Sequence, residues 1–296
     1  MSETAVSDAG RVVLVTGAGK GIGRALAEHL ARRGVRVVVN NRSRDGADSA
    51  GDAVAAIRAA GGEAIADRHD VRESGAAEAM AQAALGAWGR LDAVVLNAGV
   101  SGPADRFAAT PESVFRDVLE TNFFANLAIT QAALPHVAKS PAGRLLFVSS
   151  SAGLYGVFGR SAYAASKGAL VAWALSLAHE LKRDKVGVNV IAPYATTQMT
   201  QDAMNVDAAL AAQMAPERVA PVASWLLSAA CAASGQIWVA GGGKLRRARM
   251  MEGRAAAMPD TGADEWLAAH APELEDMREP RGFVGAEAAF ADFLKR

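Results

Sequence analysis

Tyr163 and Lys167 stand four residues apart in the run Tyr-Ala-Ala-Ser-Lys. On a helix that spacing puts both side chains on one face, one turn apart. A phenol with an ordinary pKa of about 10 is a poor proton donor or acceptor at neutral pH. An ammonium held beside it favours the phenolate and draws that pKa toward the working range. Ser150 lies a short loop upstream, placed to hydrogen-bond the same substrate oxygen. A tyrosine and a lysine at this spacing often arise by chance. Taken alone, the pair is a partly buried ring beside a solvated cation, and the elements that position it decide whether it is more.

Those elements alternate. Arg11 to Thr16 is a β-branched run that stops at glycines, as a buried parallel strand does. Ile22, Leu26 and Leu30 then recur at helical spacing, and Gly34 ends that helix. Further strands are predicted over 35–40, 63–66, 91–96, 144–148, 186–191 and 236–239, and helices over 48–60, 73–88, 111–137, 162–183 and 216–230. The long helix opens with Thr110 as N-cap and Pro111 at its first position. Strict alternation with short links implies an α/β, doubly wound, seven-stranded parallel sheet, the Rossmann fold, with helices on both faces. Tyr163 and Lys167 fall on the 162–183 helix and Ser150 just past the 144–148 strand. From Lys244 the alternation stops, giving one domain over 1–243 and a C-terminal extension over 244–296, too short for a second core. The extension is expected to pack on that domain or on a partner subunit.

Composition removes several function classes. The chain has 296 residues, 51% hydrophobic, enough for a large core. Lys+Arg and Asp+Glu both number 31, so charge gives no argument for nucleic acid or an acidic membrane. The single cysteine, Cys231, excludes an internal disulfide and fits a reducing compartment. The first ten residues lack an apolar core, no run is long enough to span a membrane, and Phe-Leu-Lys-Arg is not a peroxisomal address. A soluble cytoplasmic protein without a metal site is expected.

Residues 16–23, Thr-Gly-Ala-Gly-Lys-Gly-Ile-Gly, link the first strand to the first helix. Gly17 permits a tight turn, Gly21 lets backbone amides approach a pyrophosphate, and Gly23 allows close helix–strand contact. The helix N-terminus adds its amides and the positive end of its dipole. After the second strand, NAD binders usually carry an acid that holds the ribose hydroxyls. Here the run is Asn40-Asn41-Arg42-Ser43-Arg44. Asn41 does not repel a 2′-phosphate, while Arg42 and Lys20 can pair with it, each contact being worth roughly 1.5–3 kcal/mol. NADP is therefore the expected cofactor.

The glycine loop, Asn97-Ala98-Gly99 after the fourth strand, Ser150, and Tyr163 with Lys167 together resemble the short-chain dehydrogenase/reductase family, over residues 11 to about 243. The resemblance implies that Tyr163 is the general acid/base and that Lys167 lowers its pKa and binds the nicotinamide ribose. It implies that Ser150 orients the substrate carbonyl, and that Asn122 marks a backbone kink holding a relay water. Asp70 and Val71 match the adenine-contacting pair, and Asn97, Ala98 and Gly99 line the cofactor. Ile22, Pro193 and Thr196 complete the implied cofactor set. Ser149 and Ser151 flank Ser150, and the spacing to Tyr163 fits Ser150 best.

A narrower resemblance is to the (3R)-hydroxyacyl-CoA dehydrogenase unit of peroxisomal multifunctional enzyme type 2. It rests on Ser149 to Gly159, on Ile191-Ala192-Pro193 with Met199-Thr200, and on Gly243 to Arg246 with a long tail beyond. That unit prefers NAD through an acid where this chain has Asn41. The expected activity is hydride transfer between NADP(H) and a ketone or secondary alcohol. Tyr155, Phe158, Tyr194 and Met199 offer aromatic and apolar surface to a hydrophobic substrate such as an acyl thioester, a polyketide-like ketone or a steroid. Alternatives are an NAD-dependent (3R)-hydroxyacyl-CoA dehydrogenase, a non-catalytic NADP sensor, and a reductase docking an acidic carrier on the basic run from Lys244. Relatives suggest a homo-oligomer, and the tail favours a dimer over a tetramer.

Overall fold

The computed structural model describes residues 8–196, 208–275, 277 and 279–293. Eight strands form one sheet: β1 (Val12–Val15), β2 (Arg36–Asn40), β3 (Ala64–Asp67), β4 (Ala93–Leu96), β5 (Arg144–Val148), β6 (Gly187–Pro193), β7 (Gln236–Gly241) and β8 (Lys244–Ala248). Their order is β3-β2-β1-β4-β5-β6-β7-β8, and β1 to β7 pair in parallel. The strand order reverses between β1 and β4, where Val13 is in register with Ala93. In such sheets this switch opens a crevice beyond the strand ends. β1, β4 and β5 are buried along their whole length, as near-continuous apolar runs require.

Helices α1 (Gly21–Arg32), α2 (Ser49–Ala59), α3 (Ala76–Trp88), α4 (Glu112–Leu119) and α5 (Ala125–Val137) precede β5. After it come α6 (Ser151–Tyr155), α7 (Ser161–Glu180), α8 (Ala208–Gln213) and α9 (Ala220–Leu227). On one face Val13, Val15, Val37 and Val39 pack with Leu26 and Leu30 of α1, Ile57 of α2 and Leu226 of α9. On the other, α3 packs on α5 and β1, and α7 on β5 and β6. The alternation of side chains along each strand supplies both faces.

Three expectations need correction. The sheet has eight strands, not seven. β8 returns through Gly242 and Gly243, whose φ values of 59° and 74° suit a two-residue hairpin, and Lys244 to Arg247 are all exposed. An edge strand carrying lysine and arginine resists further pairing, and it shows no apolar alternation to read. The 111–137 helix is broken by a π-turn over Glu120–Phe124. The 216–230 helix is a 3-10 turn, Pro216–Arg218, followed by α9.

The chain divides into two compact units, Met1–Arg247 and Ala248–Arg296. The second contains α10 (Ala263–Glu275) and α11 (Ala286–Phe293), with Trp266 stacked on His270 at 4.4 Å and a bridge between Glu252 and Arg281. Among the described residues no helix is long and apolar enough to cross a membrane.

β5 delivers Ser149 and Ser150, and Phe147 anchors it: fully buried, its ring meets Trp173 of α7 edge-on at 5.0 Å. Phe147→Ala is expected to cost about 3–5 kcal/mol. Urea unfolding should show a lower midpoint at unchanged slope; an unmoved midpoint would refute this account of the core.

Candidate active site

At the switch point the chain folds too closely for ordinary side chains. A Cβ on Gly23 would lie 2.6 Å from both the Asn97 Nδ2 and the Gly17 carbonyl oxygen. Gly17, at φ 62°, would press on Ala98 Cα at 3.0 Å. Thr16 Oγ1 accepts from the amides of Asn97 and Ala98, both at 3.0 Å, and donates to Val95 O. Asn97 Nδ2 donates to Thr16 O at 2.8 Å. The glycine loop and the Asn97-Ala98-Gly99 turn are thus one stitched surface. α1 opens from it with no side-chain cap and no acid in its first turn, which suits an anion. A dinucleotide fits this cradle: backbone can approach a pyrophosphate where Cβ atoms are excluded.

The loop forms one wall of a cleft of about 830 Å³. Gly17, Lys20, Gly21 and Ile22 line it, as do Asn41, Arg42, Asp70 and Val71. So do Asn97, Ala98, Gly99, Pro193 and Thr196, together with Ser150, Tyr163 and Lys167. Gly23 lies behind the wall as space for packing rather than as lining.

Asn122 is fully buried in the π-turn. Its Oδ1 accepts from Val100 N at 2.8 Å, and its Nδ2 donates to Val100 O and to Ser166 Oγ, both at 2.9 Å. The amide therefore ties the loop after β4 to α7, one residue before Lys167. Its carbonyl accepts from Asn126 Nδ2 at 2.7 Å. A π-turn shifts backbone pairing by one residue and commonly marks a functional position. Gly99 completes the join: a Cβ there would meet Asn122 Oδ1 at 3.0 Å and Lys167 Nζ at 3.4 Å.

Ser150 begins α6 and accepts from Ala152 N at 3.2 Å, and its hydroxyl also hydrogen-bonds the Tyr163 phenol. Ser149 is turned away, donating to Lys167 O at 2.8 Å in the buried interior. Gly153 lets α6 lie against α7, since a Cβ would fall 2.6 Å from the Lys167 carbonyl carbon. Lys167 is buried and donates from Nζ to Val148 O at 2.7 Å, with Nζ 5.9 Å from the centre of the Tyr163 ring. Burial draws the ammonium down to a pKa of about 8. For Tyr163 burial is the largest influence and pushes the phenol up, while the Ser150 hydrogen bond and then Arg160 pull it back. The arrangement can hold a carbonyl or alcohol oxygen between a serine hydroxyl and a phenol, with a cation one turn away.

At the far end of the cleft Asn41 Nδ2 donates to Ser49 Oγ at 2.5 Å, and no carboxylate stands at that position. Arg42 Nη1 donates to Asp70 Oδ2 at 2.7 Å. Lys20 is exposed on the cleft wall. Tyr155 and Phe158 are 73% and 84% exposed, Tyr194 is 43% exposed, and none of the three lines the cleft. Met199 lies outside the described residues. Sequence reasoning missed the roles of Thr16, Ser166 and Gly153. Ser166 sits inside the Tyr163–Lys167 run, and Gly153 recurs three residues after Ser150 as a close-packing signal.

The family model described as short chain dehydrogenase matches residues 11–208. Peroxisomal multifunctional enzyme type 2 of Mus musculus is 37% identical over 247 residues, 81% of this chain; the chain spans about a third of that protein, 33% of its length. A short-chain type dehydrogenase/reductase of Mycobacterium tuberculosis is 34% identical over 90% of this chain and 94% of its own length. The crystal structure of a short chain dehydrogenase from Mycobacterium avium is similar at a TM-score of 0.78 and 37% identity, covering 95% of this chain and 100% of that one.

The buried lysine makes stability depend on pH. Its ordinary value is 10.5 and its folded value about 8, so between these the unfolded chain holds a proton that the folded chain lacks. Stability contributed by this group therefore rises with pH across that window, and below about 8 the full burial penalty applies. Relative to Lys167→Met, the parent should gain about 1–3 kcal/mol between pH 7.5 and 10.5. Urea denaturation of both proteins at the two pH values checks this; parallel pH slopes would refute it.

Proposed function

Since the chain belongs to the short-chain dehydrogenase/reductase family, oxidoreductases of hydroxyl and keto groups that use a nicotinamide cofactor, we propose that it is an NADP(H)-dependent enzyme interconverting a ketone and a secondary alcohol on a hydrophobic substrate. One observation carries the reading: Ser150, Tyr163 and Lys167 line the same cleft as the glycine loop, with Asn122 directly behind Gly99. The bound cofactor supplies or takes the hydride. The chain's own residues manage the proton and the oxygen. Ser150 Oγ and Tyr163 Oη clamp the substrate oxygen, and in reduction Tyr163 gives its proton to the developing alkoxide. Lys167 holds a positive charge beneath the ring and favours the phenolate that results. Asn122 fixes the loop after β4 against α7, so that Lys167 and Gly99 keep their separation.

NADP is favoured by Asn41 in place of an acid, and by Lys20 and Arg42 lining the same end of the cleft. A 3-oxoacyl or 3-hydroxyacyl thioester is the substrate class favoured by the likeness to multifunctional enzyme type 2. The same likeness supports the second reading, an NAD-dependent (3R)-hydroxyacyl-CoA dehydrogenase. A reducing compartment, the cytoplasm, suits the single buried cysteine. The catalytic part is proposed to lie in the first unit, Met1–Arg247. A homodimer is proposed because the C-terminal extension would occlude the further interface that a tetramer needs. Sedimentation equilibrium should give twice the chain mass; a monomer or tetramer would overturn this.

The activity is tested by NADPH and NADH oxidation over a panel of 3-oxoacyl thioesters, steroids and cyclic ketones. NADPH should be preferred, and an NADH preference would overturn the cofactor reading. Tyr163→Phe should lower turnover at least about 10²-fold with NADPH binding retained. Near-parental turnover in that variant would remove Tyr163 from its role.

A further inference from the structure

Asp70 stands between two arginines on the wall of the cleft, its carboxylate 14% exposed. Arg72 grips it three times: its backbone amide and Nε donate to Oδ1 at 3.0 and 3.1 Å, and Nη2 donates to Oδ2 at 2.7 Å. Arg42 reaches it once, from Nη1 to the same Oδ2 at 2.7 Å. The two grips are unequal in kind. Arg72 is two residues away and held by the turn itself, whereas Arg42 comes from the end of β2 and can turn elsewhere. Asp117 and Glu120 lie beyond Arg72 and favour its charge.

We propose that Arg72 is a specificity residue acting through Asp70: by taking up the Asp70 carboxylate, it leaves the Arg42 guanidinium able to receive the 2′-phosphate of the dinucleotide. The inference rests on the NADP reading above. Without Arg72, Asp70 would have Arg42 as its side-chain partner, and the cation meant for the phosphate would be held and neutralised. The Arg42–Asp70 pair would then present no net positive charge to the phosphate dianion. With Arg72 in place, the Asp70 carboxylate is matched by Arg72, and Lys20 and Arg42 line the same cleft. The ribose hydroxyls of NADH carry no charge and are affected much less. Arg72 thus sets the preference between the two cofactors without itself touching the phosphate.

The readout is the ratio of dissociation constants for NADPH and NADH, measured by fluorescence titration of the full chain, which cancels losses common to both cofactors. Arg72→Gln should shift the ratio toward NADH by about tenfold. Adding Asp70→Asn to that variant removes the carboxylate that Arg72 served to occupy, and should return the ratio to within about threefold of the parent. An unchanged ratio in R72Q would overturn the proposal. So would a double variant as impaired as R72Q, because Arg72 would then be acting on the phosphate directly. A parent that binds NADH more tightly sinks the NADP reading, while the shift produced by R72Q is still read on its own.

Discussion

Two close approaches in the first unit shape the site. Where β1 turns into α1, Gly23, Gly17 and Asn97 approach so closely that a single methyl group would collide with backbone or amide within 2.6 Å. Where the π-turn meets α7, Gly99 fills the space between Asn122 and Lys167. The first closeness lets bare amides face an anion; the second sets the buried Asn122 amide directly behind the wall that carries Gly99 and Lys167. Close packing of this kind leaves little room to relax, so the geometry of the cleft is inherited directly from the backbone.

Much of this was legible in the amino-acid order. The glycine loop, the Asn97-Ala98-Gly99 turn and the Tyr163–Lys167 spacing are local signals, each meaningful because a glycine or a helical repeat restricts the backbone there. The sheet was legible from its apolar runs, except for β8, an edge strand in which Lys244, Arg246 and Arg247 leave no apolar alternation to read. Residue pattern alone hides the π-turn at Glu120–Phe124, since its residues continue an ordinary helical composition; only the family resemblance implied a kink at Asn122. The Arg42–Asp70 pair was also hidden. It arises because β2 and β3 are paired with Asn40 opposite Asp67, which carries residues beyond both strand ends to the same place. Long-range register of this kind is set by the whole sheet and not by any segment.

The electrostatics show the same division. The sequence pairs an ammonium with a phenol, and the structure puts them on neighbouring turns of α7. Burial, however, is the largest influence on each and favours the neutral form of each. Ser150 and Arg160 draw the phenol back, so the loop after β5 and the start of α7 share in setting the acid's strength.

The π-turn has a consequence for anyone redesigning this chain. It inserts one residue into what would otherwise be a continuous rod from Glu112 to Val137, so the inward stripe of α4 and that of α5 are out of phase. Removing a single residue there would regularise the rod and restore its uninterrupted ladder. It would also rotate the Asn122 amide away from Val100 and Ser166, so a more orderly helix would lose the tie between the loop after β4 and α7.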